Sequence, residues 1–566
     1  MTDLKPGNNS FYWSTVFFRQ LQSFGVQNVI ISPGSRSTPL TLAAAANNYL
    51  KKHVILDERS AAFTALGIGK ATNIPAVLVC TSGTAVANYY PAVIEAKQSG
   101  IPMIVATADR PEELVAKGAN QAINQQHIYG NYPVFYKDIG EPANGSIGTL
   151  KELTKQAFQA SRQNQGTAHL NFPFRKPLQP DPDFLQKITS ENRKLTPQSS
   201  VSNSSKEINI DLTDSLSQNI IQTAERPLII VGQLSASSSS EPIFALAEKL
   251  QAPVISEYGH PESDCDIQGF DGFLRSSENI EELKPDLILR FGLQPASKSV
   301  LQAVRQWHAN HHIYFADTDR NIDIFNTTTK RIQWDGKTFD TSNTSQKPDQ
   351  WLEKWKQAEQ SFFEQAQSMA DDIEPLTDGH IYQQILPDIP DEHTIAISNS
   401  FPARDQSLFA RFGRQSIVTN RGVSGIDGVT STAIGATIGS QKPLVLFTGD
   451  LAFLHDSNAL LNHQLVDQPL VIIVINNSGG SIFRMLPIAD QEEYFEPYFE
   501  TPQAADISSL TTSHNIPYQK IDSRSKLLNF DVSDWIAQHP GCSVVECTTN
   551  TDASMKLRNR LWNIRI

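Results

Sequence analysis

The chain has 566 residues, 39% hydrophobic and 19% charged, a composition that excludes a largely disordered protein. Lys and Arg number 47 against 60 Asp and Glu, a net charge of −13. That excludes nucleic acid or an anionic membrane as the main partner, while a local basic site could still take a small anion. At roughly 100–200 residues per domain the length allows about three to five domains.

Four cysteines, Cys80, Cys265, Cys542 and Cys547, form no CxxC pair. They are too few for a disulfide framework and wrongly spaced for structural zinc. The first ten residues are polar, and no run of 18 apolar residues occurs. A signal peptide and a membrane span are therefore not expected, and the expected setting is a reducing cytoplasm.

From the N-terminus, residues 26–32 (VQNVIIS), 53–56 (HVIL), 76–80 (AVLVC) and 102–106 (PMIVA) read as strands. Each is β-branched and ends in polar or turn residues. Ala-rich stretches at 38–46 and 60–70 read as helices. Apolar strands alternating with helices predict a parallel sheet covered on both faces. This first domain spans 1–185. Residues 186–210, rich in Ser, Asn and Lys, read as a linker. A second series follows at 227–231, 252–256, 286–291 and 312–316, giving a middle domain over 211–345. Residues 326–350 are again polar, and 351–370 form a charged amphipathic helix. A third series, at 394–398, 416–420, 444–448, 470–476 and 542–547, gives a domain over 346–566. The expected fold is α/β, with three doubly wound parallel-sheet domains. In such sheets ligands bind beyond the carboxyl ends of the strands.

The strand at 444–448 runs into Gly449-Asp450. The next strand, after one helical stretch, runs into Asn476-Asn477-Ser478-Gly479-Gly480. A carboxylate, an amide oxygen and the carbonyl of Gly479 are hard oxygen ligands suited to Mg²⁺ holding a phosphate. Glycines let backbone approach the phosphates. This pattern resembles the diphosphate-binding motif of thiamine-diphosphate enzymes, with Leu451 where many of them have a second Gly. The resemblance implies a pyrimidine domain, a middle domain and a diphosphate domain. It also implies thiamine diphosphate with Mg²⁺ or Mn²⁺ on Asp450, Asn477 and Gly479, and Gly449 against the cofactor. Glu58, just after the second strand, matches the glutamate that such enzymes place against the aminopyrimidine ring. It is the catalytic candidate, expected in an apolar pocket. Gly67-Ile68-Gly69 lies inside an apparent helix and lacks a third Gly, so it reads as close helix packing.

Further segments narrow the resemblance. They are Ser32-Pro33-Gly34-Ser35-Arg36-Ser37-Thr38-Pro39, Ala108-Asp109-Arg110-Pro111, Gly118-Ala119-Asn120-Gln121, Ser398-Asn399-Ser400 with Arg404, Asn420-Arg421-Gly422 through Gly428, and Gly479-Gly480-Ser481-Ile482-Phe483. Together they resemble the family of 2-succinyl-5-enolpyruvyl-6-hydroxy-3-cyclohexene-1-carboxylate synthases of menaquinone biosynthesis, across both outer domains. That family joins 2-oxoglutarate, with loss of CO₂, to isochorismate. Both are dicarboxylates, and arginine forks suit carboxylates. The resemblance implies substrate contacts from Ser35, Arg36, Arg110, Asn120, Gln121, Ser400, Arg404, Arg421 and Leu486, with Lys298 from the middle domain. It implies Ile426 as the wedge that holds the cofactor bent, and Ile482 and Phe483 as an apolar wall beside it. It also implies a homodimer or homotetramer with active sites at the subunit interface. Two other readings stay open here: another thiamine-diphosphate enzyme, such as an acetolactate synthase or a 2-oxo acid decarboxylase, or a non-catalytic protein of the same fold.

Overall fold

The computed structural model describes residues 5–142, 146–193, 215–234, 238–257, 263–317, 322–334, 336 and 346–566. They form three six-stranded sheets with helices in the connections. Every strand pairing is parallel. Apolar runs between helical segments produce this, because a parallel sheet buries both faces under its crossover helices.

The first sheet holds β1 (Asn28–Ile31), β2 (Lys51–Val54), β3 (Ala76–Cys80), β4 (Met103–Asp109), β5 (Phe135–Asp138) and β6 (Thr167–Pro173), in the order β2-β1-β3-β4-β6-β5. β3 and β4 are buried at every position. β4 runs three residues past the apolar stretch that marks it, because polar side chains continue it inside the sheet. Thr107 Oγ1 donates to Asn171 Oδ1 at 2.8 Å, and Asn171 Nδ2 donates to Asp109 Oδ2 at 2.8 Å. Residues 186–193, expected as linker, belong instead to the helix Pro182–Arg193. Ile188 is buried, and Asn192 accepts from Arg19 Nε at 2.7 Å and donates to the Ala46 carbonyl at 3.0 Å. A packed face outweighs the linker-like composition. The rest of that linker, 194–210, lies outside the described residues.

The first compact unit comprises the described residues of Met1–Ser204 with Asn420–Gln441 and Asp456–Asp467. Two segments of the 346–566 stretch thus leave the third sheet's unit. The cause is a glycine seam between the helices Glu58–Thr72 and Val429–Ser440. A Cβ on Gly67 would stand 2.1 Å from the Thr432 carbonyl oxygen, and one on Gly435 would stand 2.0 Å from that of Thr64. Gly67 serves close packing, as its place inside a helix suggests.

The second unit comprises the described residues of Ser205–Thr419, Lys442–His455 and Gln468–Ile566. One of its sheets holds β7 (Pro227–Val231), β8 (Val254–Ser256), β9 (Asp266–Ile267), β10 (Leu287–Phe291), β11 (His311–Ala316) and β12 (Lys330–Gln333), ordered β12-β11-β10-β7-β8-β9. The other holds β13 (Thr394–Ile397), β14 (Ser416–Thr419), β15 (Leu444–Gly449), β16 (Leu470–Asn476), β17 (Tyr518–Ile521) and β18 (Cys542–Thr548), ordered β14-β13-β15-β16-β18-β17. One apolar core serves both sheets. The amphipathic helix Gln350–Asp371 contributes Trp355 and Phe362 to it, each edge-on to Phe273.

All four cysteines are free and buried. Burial pushes the Cys265 thiol up to about 11 and the Cys542 thiol up to about 12. Among the described residues no helix is long and apolar enough to cross a membrane.

Candidate active site

In the second unit, β15 and β16 are neighbours in parallel register, with Gly449 opposite Ile475. Each ends in a candidate ligand: Asp450 after β15 and Asn477 after β16. Asp450 is 5% exposed. Burial pushes its carboxyl up to about 7, while backbone N–H groups of Leu451 and Gly479 pull it down. A divalent cation beside it would hold it ionised. Asn477 donates Nδ2 to Asp378 Oδ2 at 3.1 Å and accepts from Ser481 Oγ at Oδ1 at 3.1 Å. The turn that follows needs glycine. Gly479 has φ +122°, and a Cβ there would lie 2.3 Å from the Glu500 carbonyl oxygen. Gly449 needs none for its own packing, since a Cβ there meets no protein atom within 4 Å. Space is therefore open at the end of β15, and Asp450, the Asn477 amide and the Gly479 carbonyl are oxygen donors that follow β15 and β16. The set fits a hard divalent cation carrying a diphosphate.

The next segment carries the apolar candidates. Ile482 and Phe483 are half-buried, and Leu486 is 46% exposed, so Leu486 is no core residue of this chain. Phe483 meets Phe499 edge-on at 6.1 Å. Arg484 ties the segment down through Glu500 and Asp552. In the turn after β13, Ser400 holds φ +73°, and its carbonyl accepts Arg404 Nη1 at 2.7 Å. A serine held there marks a turn fixed by its surroundings. Lys298 is exposed at the start of the helix Lys298–Trp307.

In the first unit, Glu58 opens the helix Glu58–Thr72 and is half-buried. Asp57 caps that helix by accepting the Arg59 N–H at 2.9 Å and is itself held by Asn458 Nδ2 at 2.9 Å. Of the apolar side chains just before it, Ile55 is buried while Val54 and Leu56 are exposed. Arg36 is 4% exposed; its Nη1 donates to the Phe174 carbonyl at 2.6 Å. Arg110 Nη2 donates to the Asn120 carbonyl at 2.8 Å. The Nε of each arginine is buried without a hydrogen-bond partner. A buried donor left unpaired is costly, and a carboxylate ligand is what such donors suit. Gln121, at φ +58°, and Ser82 exchange hydrogen bonds: Ser82 Oγ donates to the Gln121 carbonyl at 3.0 Å, and Gln121 Nε2 to that of Ser82 at 3.2 Å. Ser35 is exposed in the turn after β1.

Arg421 and Ile426 are half-buried on the segment 420–428 of the same unit. Glu95 anchors it. Its carboxylate accepts the Gly422 N–H at 3.0 Å and the Val423 N–H at 2.8 Å. Lys70, buried, stands 3.7 Å from that carboxylate. The structure thus groups Ser35, Arg36, Glu58, Arg110, Asn120, Gln121, Arg421 and Ile426 in the first unit. Lys298, Ser400, Arg404, Gly449, Asp450, Asn477, Gly479, Ile482, Phe483 and Leu486 lie in the second. The sequence motifs leave out Ser82, Glu95 and Asp378, whose partners are remote in the chain.

Two family models match the chain. The thiamine pyrophosphate enzyme N-terminal TPP binding domain covers residues 13–128, and the C-terminal TPP binding domain covers residues 406–547. Similar curated proteins carry the name 2-succinyl-5-enolpyruvyl-6-hydroxy-3-cyclohexene-1-carboxylate synthase. The one from Bacillus velezensis is 34% identical over 96% of this chain and 96% of its own. That from Haloarcula marismortui is 34% identical over 98% of each chain. That from Rippkaea orientalis is 36% identical over 91% of this chain and 90% of its own. The likeness runs nearly end to end and includes both cofactor-binding domains, so the chain belongs to the family of 2-succinyl-5-enolpyruvyl-6-hydroxy-3-cyclohexene-1-carboxylate synthases, among the thiamine pyrophosphate enzymes.

Proposed function

We propose that this protein decarboxylates 2-oxoglutarate and adds the resulting four-carbon unit to isochorismate, giving 2-succinyl-5-enolpyruvyl-6-hydroxy-3-cyclohexene-1-carboxylate and CO₂ for menaquinone biosynthesis. The nearly end-to-end likeness, at 34% identity, to synthases of that name carries the reading. The cofactor is thiamine diphosphate, whose thiazolium supplies the electron sink for the decarboxylation when bound.

The roles of the chain's own residues follow from their chemistry. Asp450, Asn477 and the Gly479 carbonyl would hold Mg²⁺ or Mn²⁺ on the diphosphate, with Gly449 leaving it room. Glu58 holds or moves the proton at the aminopyrimidine ring nitrogen. Arg36, Arg110, Arg404 and Arg421, with Lys298, bind substrate carboxylates. The buried, unpaired Nε of Arg36 and Arg110 supports that role. Ser35, Asn120, Gln121 and Ser400 orient the same substrates, and Ile426, Ile482, Phe483 and Leu486 keep water from the reacting carbon. An acetolactate synthase or a simple decarboxylase would need fewer cations.

The protein acts as a homodimer or homotetramer, each site completed by a partner subunit. Val54 and Leu56, 59% and 69% exposed beside Glu58, support this, since a partner would cover them. The domains follow as pyrimidine-binding (1–185), middle (211–345) and diphosphate-binding (346–566). The test follows isochorismate absorbance on purified protein. Consumption that requires thiamine diphosphate, Mg²⁺ and 2-oxoglutarate together is expected. Cofactor binding with no isochorismate loss would overturn the reaction and leave the family.

A further inference from the structure

An amide has two unlike ends, and only its oxygen ligates a hard cation. Something must decide which end of Asn477 faces the cation. Asp378, the first residue of the helix Asp378–Ile385, is 1% exposed. Its Oδ2 accepts Asn477 Nδ2 at 3.1 Å and Arg558 Nη2 at 2.5 Å, and its Oδ1 accepts the Thr549 hydroxyl at 2.5 Å. Arg558 is 1% exposed, also pairs with Asp405, and stacks 3.7 Å over the Phe401 ring. Asp378 is thus held still, paired with Arg558 and with both oxygens in use. Both of its oxygens act here as acceptors, toward Asn477, Arg558 and Thr549. It can face the Asn477 NH₂ but not its oxygen, and Ser481 Oγ stands at that oxygen on the other side.

We propose that Asp378, fixed by Arg558, is a positioning residue that orients the Asn477 amide with its oxygen toward the cation. The proposal rests on the reading of Asn477 as a cation ligand. An outer carboxylate that orients a ligand typically contributes about 10–100-fold in metal affinity.

The test measures Mn²⁺ affinity by electron paramagnetic resonance in the presence of thiamine diphosphate, with circular dichroism to monitor folding. Asp378→Asn offers Asn477 an NH₂ in place of an acceptor and lets the amide turn round. A loss of about 10-fold or more is expected. The exchange Asp378→Asn with Asn477→Asp keeps the total charge and restores a donor facing an acceptor, so it should recover most of that loss and fold even where the single variant does not. Wild-type Mn²⁺ affinity in Asp378→Asn, or an exchanged pair that binds no better than the folded single variant or fails to fold, overturns the proposal. Asn477→Ala separates the two readings: unchanged Mn²⁺ affinity there would remove Asn477 as a ligand altogether.

Discussion

Glu95 holds the backbone N–H groups of Gly422 and Val423 with its two carboxylate oxygens, at 3.0 and 2.8 Å. The contact spans more than 300 residues of chain and fixes the segment that carries Arg421 and Ile426. Gly422 is needed there, because a Cβ would stand 2.6 Å from Ser99 Oγ and 2.9 Å from Glu95 Oε2. Glu95→Gln keeps the shape but loses one acceptor and the charge opposite Lys70. It should raise KM for the dicarboxylate substrates by about 10-fold, since small misplacements of a binding group have effects of that size or larger. Glu95→Ala also leaves Lys70 buried without its counter-charge and should cost about 3–5 kcal/mol. Steady-state kinetics and thermal melting check the pair, and an unchanged KM in Glu95→Gln would remove the anchoring role.

Two glycines should respond in opposite ways. Gly67→Ala forces a methyl against the Thr432 carbonyl. Overpacking of this kind costs about 1–3 kcal/mol, so the melting temperature should fall by several degrees. Gly449→Ala meets no protein atom. Its melting temperature without cofactor should match wild type, while its affinity for thiamine diphosphate falls by about 10-fold, or about 1.4 kcal/mol. A cofactor titration that finds unchanged affinity would separate Gly449 from the diphosphate.

Glu58→Gln should fold and bind thiamine diphosphate, yet lose nearly all turnover. A missing general acid–base group typically costs about 100- to 10,000-fold. Near-wild-type rates in this variant would end its catalytic assignment.

Asp266, in β9, is half-buried with its Oδ1 shut off from solvent, and burial first, then the neighbouring Glu359, push its carboxyl up to about 8 from 3.8. Between these values the folded chain keeps a proton that the unfolded chain releases. Folding stability from this group is therefore full below about 4, falls as the pH rises, and levels off above about 8. Asp266→Asn removes the titration. Its melting temperature should exceed wild type by more at pH 8 than at pH 5, and an equal difference at both would contradict the assignment.

Much of this architecture is legible in the sequence because burial on both faces writes strands as plain apolar runs. β7 and β16 fall on the residues that the apolar pattern marks. β6 escapes because His169 and Asn171 interrupt its run, and they are buried with partners from other segments: Thr107 bonds both, and Asn171 also donates to Asp109 and Asp138. β5 is a half-exposed edge strand with no apolar run. The same limit applies at the site. Asp450 and Asn477 are readable because each follows a strand in a local motif. Asp378 and Glu95 are not, since an acid in a helix's first turn or on its face looks like any solvated residue. Their meaning lies in partners 99 and 327 positions away.

The four buried thiols distribute themselves usefully. Cys80 lies in β3, Cys265 directly precedes β9, and Cys542 and Cys547 lie in β18, so every sheet holds or adjoins at least one. Thiolate is the reactive form, and burial disfavours it at all four. Alkylation of the native protein must therefore wait for each sheet to open. Peptide mapping after timed exposure to iodoacetamide would yield three separate opening rates from the unmodified chain, a clock for each sheet that needs no engineered probe.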